Sequence, residues 1–225
     1  MAKIAPFHGI RYNAHKVGNL SEVVSQPYDR VRYGLQDQYY DLHRYNVVRI
    51  TKGREHPDDT PTDNVYTRAR DYFHTWLDAG YMLRDPAPAF YVYHQTFTLP
   101  DGTELTRKAF VAALELVEFE EGIVLPHERT LSGPKADRLN LLRATNTNFG
   151  QIFMLYPDAE NRINDIFDVA IAGREPDADV HEMFEQDVRQ QLWVVSDPEV
   201  TAQVVAEMAP KRGLIIADGH HRYET

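Results

Sequence analysis

Apolar residues recur along this chain with two periods, and the period separates its helices from its strands. Val65, Ala69, Tyr72, Phe73, Trp76 and Leu77 share one stripe of a helix that Gly80 stops. That spacing accounts for the aromatic residues as core, not as a platform for stacking bases. Ile163, Ile166, Phe167, Ala170 and Ile171 repeat the pattern up to Gly173. Leu35, Tyr39 and Leu42 predict a shorter helix. Residues 136–147 predict another, with Ala136, Leu139 and Leu142 inward and Asp137, Arg138 and Arg143 mostly outward. Ser196 and Glu199 read as a capping box for a helix reaching Ala209. Short apolar runs predict strands at 7–12, 47–51, 89–97, 104–118, 152–156, 180–185, 192–195 and 214–217. Pro100-Asp101-Gly102 is a hairpin signal between two of them. Residues 54–62, rich in Pro, Asp and Thr, read as a solvated loop, and Pro27 forces extended backbone on Gln26. Interleaved helices and strands with some hairpins predict a mixed α/β or α+β fold. A soft boundary divides 1–119 from 120–225.

Composition narrows the function classes. The chain has 225 residues, enough to bury a real core as one large domain or two modest ones. Its net charge of −10 argues against broad DNA binding, which needs a basic surface. No apolar window approaches the roughly 18 residues of a membrane span, and residues 1–6 lack a signal-peptide core. Zero cysteines exclude disulfides, thiolate catalysis and Cys-ligated zinc, so a cytoplasmic protein is the expectation.

Chemistry concentrates in two polar corners. The strand at 214–217 stops at Asp218-Gly219, and His220, His221 and Arg222 follow, all carrying donors. A strand that ends in a glycine turn and enters a helix leaves backbone N–H groups free for an anion. Arg222 adds a planar charged fork, and the imidazoles add donors or metal ligands. Upstream, Pro126-His127-Glu128-Arg129 follows a strand and precedes a helix. Glu128 beside cations is a candidate general base; alone, it reads more simply as a loop ion pair with Arg129. Lys135, in the Leu131-Ser132-Gly133-Pro134-Lys135 turn, lies within reach of a phosphate, but the G-K-[ST] core of a P-loop is missing.

Together the corners resemble a known superfamily. D-G-H-H-R-Y at 218–223 is similar to the phosphate-binding signature of ParB/sulfiredoxin-like proteins, closest to that of the archaeal ADP-dependent free-serine kinases. Those kinases carry an early P-H-E box similar to Pro126-His127-Glu128. I-A-P-F-H-G-I-R-Y at 4–12, P-Y-D at 27–29 and A-D-G-H-H-R-Y-E-T at 217–225 resemble a bacterial family of unassigned function over essentially the whole chain. Members of that family continue past the last motif, so the chain is expected to be a fragment. The resemblance implies a ParB/sulfiredoxin-like core at 120–225 with an N-terminal α/β extension at 1–119. It implies that Gly219, His220, His221 and Arg222 cradle nucleotide phosphates, with Asp218 at the turn. Glu128 would be the base, His127 its neighbour, and Mg2+ would bridge phosphate oxygens. The implied nucleotide is ADP or ATP, with CTP the ligand of ParB relatives.

Three readings follow. The first is a phosphotransferase, of free amino acid kinase type, acting on a nucleotide and a small hydroxylated substrate. The second is a ParB-type nucleotide-binding regulatory module without such an acceptor. The third, ranked lowest, is a metal-dependent hydrolase built from His220, His221, His127, Glu128 and Asp218, because adjacent histidines rarely face one ion. Metal ligands and homo-oligomerisation stay open.

Overall fold

A computed structural model describes residues 1–32, 34–130, 132–184 and 188–225, and it has a mixed α+β architecture. Its largest sheet orders four antiparallel strands as β5 (Glu104–Val111), β4 (Phe90–Thr98), β10 (Val188–Val195) and β9 (Ala178–His181). Alternation explains the inner face: Phe90 and Val92 on β4 lie opposite Val195 and Trp193 on β10, and all four are buried. Helices α6 (Arg162–Ile171) and α7 (Pro198–Met208) pack into the same core through Ile163, Phe167, Val204 and Met208. A second sheet orders β7 (Val124–Leu125), β11 (Leu214–Asp218) and β8 (Phe153–Leu155). Leu214 and Ile216 of β11 face that core, while Ile215 between them is exposed. The core draws on both sides of residue 120, which lies in a short 3-10 turn, Phe119–Glu121.

A second cluster forms around α4 (Val65–Asp78), where Ala69, Phe73 and Trp76 meet Ile50, Met82 and Leu141. Asn64 caps α4 by accepting from the backbone of Tyr66 and Thr67. Two small two-stranded sheets complete the fold: β1 (Ile4–Ala5) with β6 (Ala113–Leu114), and β2 (Ile10–Tyr12) with β3 (Met82–Arg84). The N-terminal motif is structural. Arg11 makes a two-pronged ion pair with buried Asp85, at 3.0 Å from Nε and 2.8 Å from Nη2. The Tyr91 hydroxyl donates to the same carboxylate at 2.8 Å and accepts from the Gly9 N–H at 2.6 Å. A side chain at Gly9 would overlap that hydroxyl.

Several expectations change. The apolar run at 47–51 forms a helical turn, α3 (Val48–Thr51), not a strand. Buried Asn46 curls it: its Oδ1 accepts from the Val48 N–H, and its Nδ2 donates to the carbonyls of Glu22 and Val24. The strand expected to reach 118 ends at Val111, and the chain then crosses to pair with β1. Helix α7 is capped by Asp197, not Ser196, because Pro198 suits the first helical position. In α5 (Ser132–Thr145) Leu141 and Thr145 are buried, Leu139 and Leu142 half-buried, and Ala136 exposed. Asp137 and Arg138 are half-buried instead of outward, since Asp137 accepts from the Tyr66 hydroxyl and Arg138 stacks on Tyr28. The strand expected at 180–185 ends at His181, and residue 185 lies outside the described residues, as does Leu131.

Candidate functional site

Glu128 and Asp218 are 90 residues apart (218 − 128), yet one feature of the second sheet joins their loops. Strands β7 and β11 are parallel neighbours, Val124 beside Leu214 and Leu125 beside Ile215. Parallel neighbours end on the same edge, so the loop at 126–130 and the turn at 219–222 leave the sheet together. After Gly219, which takes φ of +96°, the chain makes one helical turn, α8 (His220–Tyr223). A single turn is not stable by itself, and tertiary contacts hold this one. Tyr223 is buried, stacks on Phe119 at 5.3 Å, and its hydroxyl donates to the Val117 carbonyl at 2.8 Å.

At this edge the two histidines cross at 4.5 Å with their rings perpendicular. The His127 N–H donates to His220 Nε2 at 3.2 Å, and His127 Nδ1 lies 2.6 Å from the Ile216 carbonyl. A carbonyl only accepts, so neutral His127 carries its proton on Nδ1 and has its lone pair on Nε2. His220 Nε2 is already an acceptor, so neutral His220 also carries its proton on Nδ1. That Nδ1 is buried and 3.0 Å from Glu128 Oε1, off the line of a well-formed hydrogen bond. Glu128 thus faces His220, not Arg129. Its other side is open, since half of its side chain is exposed.

His127, Glu128 and His220 are close enough to hold a metal ion. The proton inventory opposes it, because a metal on His220 Nδ1 would need a lone pair where the proton sits. Nitrogen-15 spectra of the ring nitrogens are expected to report the Nδ1–H tautomer for both residues, with no change when zinc is added. An Nε2–H signal at His220 would overturn the assignment.

Arg222 lies over the turn, its Nη2 2.6 Å from Asp218 Oδ2. A Cβ at Gly219 would stand 2.8 Å from the Arg222 Nε and Nη2, and one at Gly150 would stand 2.9 Å from Nη1. The guanidinium therefore packs between two glycine backbones. Asp218, half exposed, is the carboxylate this guanidinium meets. His221 is half-buried.

The site also has members that sequence reasoning did not assign. Glu224 accepts from Thr130 Oγ1 at 2.7 Å and from Lys135 Nζ at 2.9 Å, which holds its carboxyl below the ordinary range. Lys135 is thereby tied to Glu224, joining the N-terminal end of α5 to α8. Tyr28, from the P-Y-D box, lies under the Arg138 guanidinium at 3.8 Å. Burial pushes the Tyr28 hydroxyl up, while the charges of Arg138 and Arg222 act the other way. The P-Y-D resemblance was the available signal for Tyr28; Gly150 and Thr130 had none.

No curated protein and no solved structure matches this chain. Among the described residues no helix is long and apolar enough to cross a membrane. The model of the family described as Protein of unknown function (DUF1015) matches residues 4–225, nearly the whole length. On that match, the chain belongs to the DUF1015 family.

Proposed function

We propose that the protein is a nucleotide-dependent phosphotransferase, with a ParB/sulfiredoxin-like arrangement at 120–225 and a small hydroxylated acceptor of the serine type. The observation that carries this reading is the 3.0 Å approach of Glu128 to His220, which joins the two polar corners into one site. ADP or ATP would supply the phosphoryl group, and Mg2+ would neutralise charge on its oxygens. The residues fit these groups. Asp218 is an exposed carboxylate of the kind magnesium accepts. Gly219 lacks the side chain that would collide with the Arg222 guanidinium.

The chain's own residues have separable tasks. Arg222 exchanges Asp218 for a phosphate oxygen, and His221 adds a donor beside it. His220 stays buried, with its Nδ1 3.0 Å from Glu128 Oε1, and positions that carboxylate. Glu128 takes the proton of the acceptor hydroxyl as that oxygen bonds to phosphorus and the bridging bond of the nucleotide breaks. His127 Nε2, which has the imidazole lone pair, receives or relays a proton nearby.

The test incubates the full chain with ADP or ATP, Mg2+ and a panel of hydroxy amino acids, followed by phosphorus-31 NMR. A phosphorylated amino acid supports the proposal. Nucleotide turnover without an acceptor product would instead point to a ParB-like regulatory module, with CTP then the nucleotide to try. No nucleotide binding at all would end both readings. Gly219→Ala is expected to weaken nucleotide binding roughly tenfold or more, since Ala at φ of +96° is strained and meets Arg222.

A further inference from the structure

We propose a second anion site, separate from the 126–222 edge, in the arginine-lined cleft between α2 (Leu35–Leu42), α3 and α4. The cleft has a volume of about 230 Å³, and Arg49, Arg54, Arg68, His56, Tyr40 and Tyr72 line it. Two of its guanidinium groups, those of Arg49 and Arg54, lie 4.1 Å from the same Tyr40 ring. Stacking on one ring keeps like charges together, an arrangement that calls for counter-charge.

The counter-charge is unevenly shared. Arg54 pairs with Asp37, and Arg68 pairs with Asp59 and Asp63. Arg49 has no carboxylate partner among the described residues. It donates from Nη2 to the Tyr40 carbonyl at 2.7 Å, while its Nε is buried with no acceptor. A buried N–H without a partner calls for an explanation. An oxyanion entering the cleft supplies one: drawing the Arg49 fork toward it gives Nε and a terminal nitrogen an acceptor each. The volume admits a phosphate group, or the carboxylate end of a small metabolite, with His56 adding a donor at the rim. The ligand class is therefore a small oxyanion. Arg138 donates to the Thr51 carbonyl at 3.2 Å, so α3 touches both this cleft and the helix behind the Tyr28–Arg138 stack.

The test is an NMR titration of the full chain with inorganic phosphate, and separately with succinate, with and without Arg49→Gln and Arg222→Gln. Saturable shifts of the amides of 49–56 and 65–72 are expected. They should weaken roughly tenfold or more in Arg49→Gln and persist in Arg222→Gln, which removes only the other proposed anion contact. Saturation by phosphate identifies a phosphorylated ligand; saturation by succinate alone identifies a carboxylate. Should Arg49→Gln fail to fold by circular dichroism, Arg54→Gln takes its place with the same expectation. Unmoved amides with both anions would overturn the proposal, as would shifts that vanish in Arg222→Gln and survive in Arg49→Gln. Because the readout is binding at 49–72, it stands or falls independently of any kinase activity.

Discussion

Glu128→Gln is expected to lower phosphoryl transfer by about 10²–10⁴-fold while leaving nucleotide affinity close to that of the unchanged protein. Gln matches Glu in shape and keeps an oxygen beside His220 Nδ1, so the loop at 126–130 should hold its place. It removes the one property the proposed step requires, an anionic oxygen that can accept the hydroxyl proton. The loss should fall on kcat and on kcat/KM together, as for an interaction made only in the transition state. A base-independent defect would look different: if Glu128 merely held the turn at 219–222, the variant would lose nucleotide affinity along with rate. Full activity in Glu128→Gln would remove this residue from the chemistry.

Asp85→Ala is expected to destabilise the fold by about 3 kcal/mol, the low end for breaking a buried ion pair, because Arg11 keeps 29% of its side chain exposed. The change strands two groups at once, the Arg11 fork and the Tyr91 hydroxyl, and the latter also receives the Gly9 N–H. For a chain of this size the melting temperature should fall by roughly 6–12 °C, and urea unfolding gives the free energy directly. The pH dependence has a definite sign. Burial pushes the Asp85 carboxyl up, but hydrogen bonds from Arg11 and Tyr91 outweigh it and hold the carboxyl below its ordinary value. The native protein therefore binds fewer protons at this position than the unfolded chain. Its contribution is complete above the unfolded value near pH 3.9 and disappears as the pH falls through the folded one. Stability of the unchanged protein should thus fall more steeply between about pH 5 and pH 2 than that of Asp85→Ala. Equal slopes would show that the pair does not govern the carboxyl.

The amino-acid sequence by itself determined the elements whose signal is local. The stripe of α4, the periodic helix α6, the hairpin at 98–104 and the strand that ends at Asp218-Gly219 all follow from spacing and turn chemistry within one stretch. It also marked the residues dense in chemistry, the P-H-E box and the D-G-H-H-R turn. What only the tertiary structure decided was who meets whom. The simplest partner for Glu128 along the chain is Arg129, yet the parallel pairing of β7 with β11 brings His220 to it. The run at 47–51 has a strand's composition, but a buried Asn46 that satisfies two distant carbonyls curls it into a helical turn. The N-terminal F-H-G-I-R-Y stretch carries polar residues that pack against Asp85 and Tyr91, away from the 218–222 turn. Periodicity constrains a segment's shape because neighbouring backbone groups share its cause. A polar side chain's partner is set by whichever strand end lies beside it, and that is a property of the folded chain.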